Sequence, residues 1–195
     1  MGISRKSFEA MQARLNGRGR PDTVEANALD FARIVGVDPS LRRTGLAALD
    51  VRAQPKALGF EAIACQVSWP RSRCLGEIAS QVRAFMEAQR PDACVFEGLF
   101  FAQNLKTALI MGEARGAALS VVASMGVPVF EVAPRKVKKA VTGQGGASKQ
   151  TVARMTGQFL GLETLPGPDE TDALAIALAF HFEANQGLLR EANPI

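Results

Sequence analysis

Histidine is almost absent from this sequence: His181 is the single one among 195 residues. That scarcity excludes a His-rich metal site and argues against a Ser-His-Asp triad. The cysteines, Cys65, Cys74 and Cys94, form no Cys-x-x-Cys. A zinc ribbon is therefore excluded, and buried free thiols are expected. Any metal in such a chain is held by oxygen, which points to Mg²⁺ or Mn²⁺ rather than zinc. No segment approaches the ~20 apolar residues of a membrane span. The opening stretch, MGISRKSFEAMQARLNGRGRPD, has no apolar signal core, and Glu9 and Asp22 argue against an organelle transit peptide. A cytoplasmic protein with no membrane partner is the expectation. Acids are missing altogether from Val132 to Leu162, where Arg135, Lys136, Lys138, Lys139, Lys149 and Arg154 all fall. A stretch of one sign suits either a solvated helix face or an anionic polymer such as nucleic acid. Its glycine-rich part, Thr142 to Ser148 (TGQGGAS), reads as a flexible loop. It lacks a glycine directly before Lys149, so it fails the phosphate-loop pattern.

What remains is ordinary for a globular domain: 47% hydrophobic and 22% charged residues, with a formal net charge of +4. The order of elements is informative. Ile34 to Leu49, IVGVDPSLRRTGLAAL, reads as an apolar strand, a turn at Pro39-Ser40, and a second strand opening at Gly45. Leu58 to Val67 reads as a third strand, completing an antiparallel meander. Arg73 to Gln89 carries Leu75, Ile78, Val82, Phe85 and Met86 at helical spacing. Ala93 to Glu97 is a short buried strand. Leu105 to Met125 is a long helix whose Gly112 and Gly116 share a face, for a helix–sheet contact or a dimer interface. Pro128 to Val132 is a fifth strand. Arg135 to Val141 and Gln150 to Leu160 are helices. Ser7 to Leu15 could form a short amphipathic helix, and Arg18 and Arg20 follow in a linker. The expected division is an extension over residues 1–31, a single domain over 32–185 and a tail over 186–195.

Four acids stand out against this background. By itself Asp38 reads as a turn residue. Glu97, however, occupies the matching place at the end of another apolar strand, the sheet edge where open α/β folds bind ligands. Asp169 and Asp172 lie three apart at the start of the last helix, where Asp169 is a plausible N-cap. Asp172 leads directly into the apolar run Ala173 to Phe180. If the four converge, each close pair costs roughly 4 kcal/mol at an effective dielectric of 20. Several such pairs rival the whole stability of a domain, about 5–15 kcal/mol. Bound cations make such a cluster tolerable, and one or two Mg²⁺ ions suit phosphodiester hydrolysis. His181, nine positions past Asp172, falls on the opposite helix face and reads as structural or surface.

Taken together, the strand with Asp-Pro and Thr-Gly, the strand ending in Glu97 followed by aromatics, the basic helix, the G-x-G-x-A-x-K loop and the D-x-x-D-A-L-A motif resemble the RuvC family of Holliday-junction resolvases. The resemblance runs from about Ile34 to Phe182. It implies an RNase H-like α/β fold, a five-stranded mixed sheet of three antiparallel and then two parallel strands flanked by helices. It implies Asp38, Glu97, Asp169 and Asp172 as metal-binding catalytic acids, with Mg²⁺ as cofactor, two per site, and Mn²⁺ able to substitute. Lys149 matches a lysine that contacts phosphate and stabilises developing charge, and Lys138 a further basic residue at the site. Arg135, Lys136 and Lys139 join them as DNA-binding residues. Phe100 matches the aromatic that stacks at the opened crossover, with Phe101 beside it as the alternative. The implied enzyme is a crossover junction endodeoxyribonuclease acting in DNA recombination and repair. It is a homodimer that nicks a four-way junction symmetrically, with RuvA and RuvB as partners. Ser40 replaces the family's usual glycine, Glu170 adds a carboxylate beside Asp169, and residues 1–31 have no family counterpart. Two other readings stay open: a YqgF-type nuclease processing ribosomal RNA, and an inactive junction-binding protein. The roles of Arg42 and Arg43 also stay open, between DNA contact and solvated turn.

Overall fold

A run of apolar β-branched residues can be buried on both sides only at the centre of a sheet covered on both faces. In the computed structural model, which describes residues 31–98, 104–185 and 194–195, Arg33–Asp38 (β1) is that strand. Arg43–Asp50 (β2) pairs with it antiparallel, and Lys56–Ala64 (β3) pairs antiparallel with β2. On the other side Ala93–Glu97 (β4) runs parallel to β1, and Val129–Val132 (β5) runs parallel to β4. The order is β3-β2-β1-β4-β5, the expected mixed sheet of three antiparallel and two parallel strands. The third strand starts and stops earlier than the sequence pattern suggests. It is an edge strand with one face half exposed, so its weak alternation marks the ends poorly.

Helices cover both faces. Arg71–Gln89 (α1) and Leu105–Ser124 (α2) lie on one side, with Cys74, Ile78, Val82, Phe85, Ala114 and Ala118 packed against Val35, Val37, Leu46 and Phe96. Pro134–Thr142 (α3), Lys149–Leu160 (α4) and Pro168–Asn185 (α5) lie on the other, against Ile34, Ala47, Leu49 and Val95. The split follows from the two-residue period of a strand: Ile34 and Val35 go to opposite cores, as do Val95 and Phe96. The apolar run Ala173 to Phe180 is buried throughout, because α5 is wedged between the sheet and the helices α3 and α4.

Glycines set how closely α5 can lie. Gly36 is in the middle of β1, and a Cβ there would fall 2.2 Å from the Ala173 carbonyl oxygen and 2.9 Å from the Ala177 nitrogen. Only a residue with no side chain lets the helix backbone rest on the central strand. Gly112 and Gly116 behave differently from the helix–sheet alternative of the sequence reading. A Cβ at either would meet nothing within 4 Å, so this face of α2 is turned away from the described chain. The loop after α3, expected to be flexible, is tied: Thr142 Oγ1 donates to the Lys138 carbonyl at 2.7 Å and accepts from the Gln144 amide at 3.1 Å. Ser148 then caps α4 by accepting from the Thr151 amide. The expected Ser7–Leu15 helix, Arg18 and Arg20 lie outside the described residues.

Candidate active site

The strand period decides which side chains meet. Asp38 has the same parity as Ile34 and Gly36, and Glu97 the same parity as Ala93 and Val95. Both carboxylates therefore leave the sheet on the α5 face, from the C-terminal ends of adjacent parallel strands. Gly45 stands opposite Asp38 in β2, and a Cβ at Gly45 would fall 2.0 Å from the Asp169 carbonyl oxygen. The first turn of α5 is thus seated directly on the start of β2, bringing Asp169 and Asp172 to the same sheet end. Asp169 is the second residue of α5 rather than its cap, since the helix starts at Pro168. The Thr171 amide closes the turn on the Gly167 carbonyl at 2.9 Å.

The carboxylates sense one another. Burial pushes the Asp38 carboxyl up to about 7, and the charges of Glu97, Asp172 and Asp169 push the same way, with Lys149 opposing them. The Glu97 carboxyl is raised for the same reasons, burial first and Asp172 second, with Lys149 and Lys138 opposing. Lys149 Nζ donates to Asp172 Oδ2 at 2.8 Å, and that bond, with the charges of Asp172, Asp38 and Glu97, raises its own pKa. Five predicted residues therefore meet at one place: Asp38, Glu97, Asp169, Asp172 and Lys149. Lys138 is near enough to Glu97 to act on its charge.

The other predicted residues are placed differently. Arg135 and Lys139 are exposed on α3, and Lys136 lies 3.8 Å from Glu183 of α5. Phe100 and Phe101 lie outside the described residues. The Glu170 carboxylate folds back on its own turn, and its charge acts on Arg43. A Cβ at Gly167 would fall 2.4 Å from Glu170 Oε2. His181 is buried and keeps company with Phe182 and Asn185, far along α5 from the acids.

The two open arginines are resolved in opposite directions. Arg42 has the parity of the α1 face, and its guanidinium donates to the Gln66 carbonyl at 2.5 Å and the Cys74 sulfur at 3.2 Å. It fastens the turn to the segment before α1. Arg43 has the parity of the α5 face, and its Nε donates to Asp169 Oδ2 at 2.6 Å. Arg43 is thus a member of the site, as are Gly36 and Gly45 through the seating of α5. Glycine inside a strand was the available signal for the latter pair. Nothing local marks Arg43, whose partner is 126 residues away.

As a donor set the cluster offers oxygen only, in carboxylates two of which have their pKa raised by burial first and by neighbouring acids second. That fits a hard divalent cation in kind and in charge. Among the described residues, no group of three acidic, cysteine or histidine side chains is gathered to hold an ion as it stands. Asp172 and Asp169 are instead engaged by Lys149 and Arg43. Among the described residues, too, no helix is long and apolar enough to cross a membrane.

Comparison with known proteins points the same way as the geometry. A family model described as crossover junction endodeoxyribonuclease RuvC matches residues 34–180. The RuvC crossover junction endodeoxyribonuclease of Chlorobaculum parvum is 40% identical over 146 residues, covering 74% of this chain and 78% of the relative. That of Chloroflexus aurantiacus is 38% identical over 154 residues, 78% of this chain and 94% of the relative. Among solved structures, Thermus thermophilus RuvC in complex with a Holliday junction substrate superposes with a TM-score of 0.78 at 34% identity, covering 84% of this chain and 99% of that one.

Proposed function

The chain belongs to the RuvC family of crossover junction endodeoxyribonucleases, and from that premise we propose that it resolves four-way DNA junctions by paired symmetric nicks, using the acids at the end of β1, β4 and the start of α5. It is a metal-dependent phosphodiesterase of RNase H-like fold. The observation that carries the assignment of the site is the meeting of Asp38, Glu97, Asp172 and Lys149 at one sheet end, where Lys149 Nζ donates to Asp172 at 2.8 Å and the charges of Asp172 and Lys149 act on Asp38 and Glu97.

Asp38, Glu97, Asp169 and Asp172 would hold Mg²⁺, two ions per site. When bound, the ions supply a water of lowered pKa and stabilise the leaving oxygen. Asp38, buried and central, orients the group it holds against the two strand ends. Lys149 and Lys138 face the negative charge that develops on the scissile phosphate. The water oxygen bonds to phosphorus, the bond to the 3′ oxygen breaks, and that oxygen takes a proton. The products are 5′-phosphate and 3′-hydroxyl ends.

Arg135, Lys136 and Lys139 are offered to the DNA backbone on α3, the helix that also carries Lys138. Phe100 or Phe101 stacks at the opened crossover. Two nicks related by a two-fold axis require two sites so related, hence a homodimer. The outward face of α2 supports this: Leu105, Leu109, Gly112 and Gly116 fall on one side, with both leucines more than half exposed. RuvA and RuvB are the expected partners, and the cytoplasm the expected compartment. The deciding experiment offers a synthetic four-way junction, a linear duplex and an RNA hairpin in Mg²⁺. Symmetric nicking confined to the junction is expected. Binding without nicking in both Mg²⁺ and Mn²⁺, or preferential cleavage of the RNA, would refute the proposal.

A further inference from the structure

Arg43 is the one cation of the site that the turn itself supplies. Three features fix its position. The adjacent Arg42 is committed to the opposite face, bonded to the Gln66 and Trp69 carbonyls. The backbone between Asp38 and Arg43 is braced by Thr44, whose Oγ1 donates to the Ser40 carbonyl at 2.6 Å and accepts from the Ser40 amide at 3.2 Å. Gly45 brings the backbone of Asp169 against the start of β2. The Arg43 side chain then needs only its ordinary reach to place Nε 2.6 Å from Asp169 Oδ2.

This pairing has a consequence for metal binding, on the reading of the site given above. A carboxylate oxygen that accepts a guanidinium N–H directs that lone pair away from a cation, and a fixed positive charge beside it repels a second one. We propose that Arg43 is a tethered counter-ion for Asp169 that competes with the divalent cation for this carboxylate. The cation position built on Asp169 is therefore the weaker of the site, and filling it requires the arginine to let go. Guanidinium pairs well with phosphate, so the DNA backbone is the chemical class that can take Arg43 when Asp169 is released.

The test is titration of Mn²⁺ into the full-length protein without DNA, followed by calorimetry. The guanidinium side of the pair is half exposed to solvent, so its strength is modest. Arg43→Ala is expected to tighten Mn²⁺ binding at the weaker position about two- to five-fold. Arg43→Lys, which keeps the charge, is expected to stay close to the wild type. In an Asp169→Asn background the Arg43→Ala change should bring no gain, as the thermodynamic cycle of a direct pair requires. An Arg43→Ala protein that binds Mn²⁺ no more tightly, or gains equally with and without Asp169, overturns the inference. Asp38→Asn separates this from the wider reading. Loss of Mn²⁺ binding in that variant leaves the acid site standing whatever Arg43 does, whereas unaltered binding overturns the site and the inference together.

Discussion

The ammonium of Lys149, first residue of α4, lies 2.8 Å from the carboxylate of Asp172 in the first turn of α5, where it also acts on Asp38 and Glu97. One lysine thus faces three acids from two strands and a helix. Its charge opposes the burial and the mutual repulsion that raise the carboxyls of Asp38 and Glu97. Substitutions on either side of this relationship separate catalysis from stability.

Asp38→Asn is expected to abolish nicking while preserving the fold. In EDTA it should also raise the melting temperature, because it removes a buried like charge. Each kcal/mol gained moves the midpoint of a domain this size by about 2–4 °C. Thermal unfolding in EDTA checks this, and a lowered midpoint would contradict it.

Lys138→Ala and Lys149→Ala should each weaken junction binding and flatten its salt dependence. The expected change is about one unit of log–log slope for each phosphate left without its lysine. Binding measured from low to moderate salt reads the slope, and an unchanged slope would remove that lysine from the DNA interface.

Gly36→Ala should destabilise by about 3 kcal/mol or more, since overpacking here meets helix backbone rather than a mobile side chain. Gly76→Ala in α1 is the control. A Cβ there meets nothing within 4 Å, and the change should stabilise by about 0.5–1 kcal/mol. Urea midpoints compare the two.

His181 supplies the pH dependence away from the acids. Burial pushes its imidazole down to about 4, and Asn185 Nδ2 lies 3.0 Å from its Nε2. The unfolded chain binds a proton at about 6.5. Stability from this residue is therefore full above about pH 6.5 and is lost as pH falls toward 4, by on the order of 3 kcal/mol. His181→Gln should flatten the decline in urea midpoint between pH 7.5 and pH 5; an identical decline would assign it to other groups.

If the proposed homodimer forms through the outward face of α2, Leu109→Glu beside Gly112 and Gly116 should leave a monomer in sedimentation while the melting transition stays cooperative. A dimer that survives the charge would move the two-fold interface elsewhere.

Much of the architecture is legible because burial writes itself into the strands. β1 and β4 are continuous apolar runs closed by an acid, so their ends are sharp, and Asp38 and Glu97 come with them. β3 is blurred because an edge strand with a half-exposed face has no such contrast. Gly112 and Gly116 show the limit of spacing arguments. Their shared face is read correctly, but whether anything packs on it depends on how α2 is rotated against the sheet. Glu170 shows the same limit, because two adjacent acids in one helical turn point in directions that only the seating of the turn defines.

By itself the sequence determined the elements, their order and the residue types of the site. Those follow from hydrophobic period, turn chemistry and the rarity of acids beside buried runs, all of which are local. Only the tertiary structure decided that Arg42 fastens a turn while Arg43 reaches Asp169, and that two glycines let α5 approach closely enough for the pairing. Adjacent residues of a strand leave by opposite faces, and what each meets there is set by chain that folds in from far along the sequence.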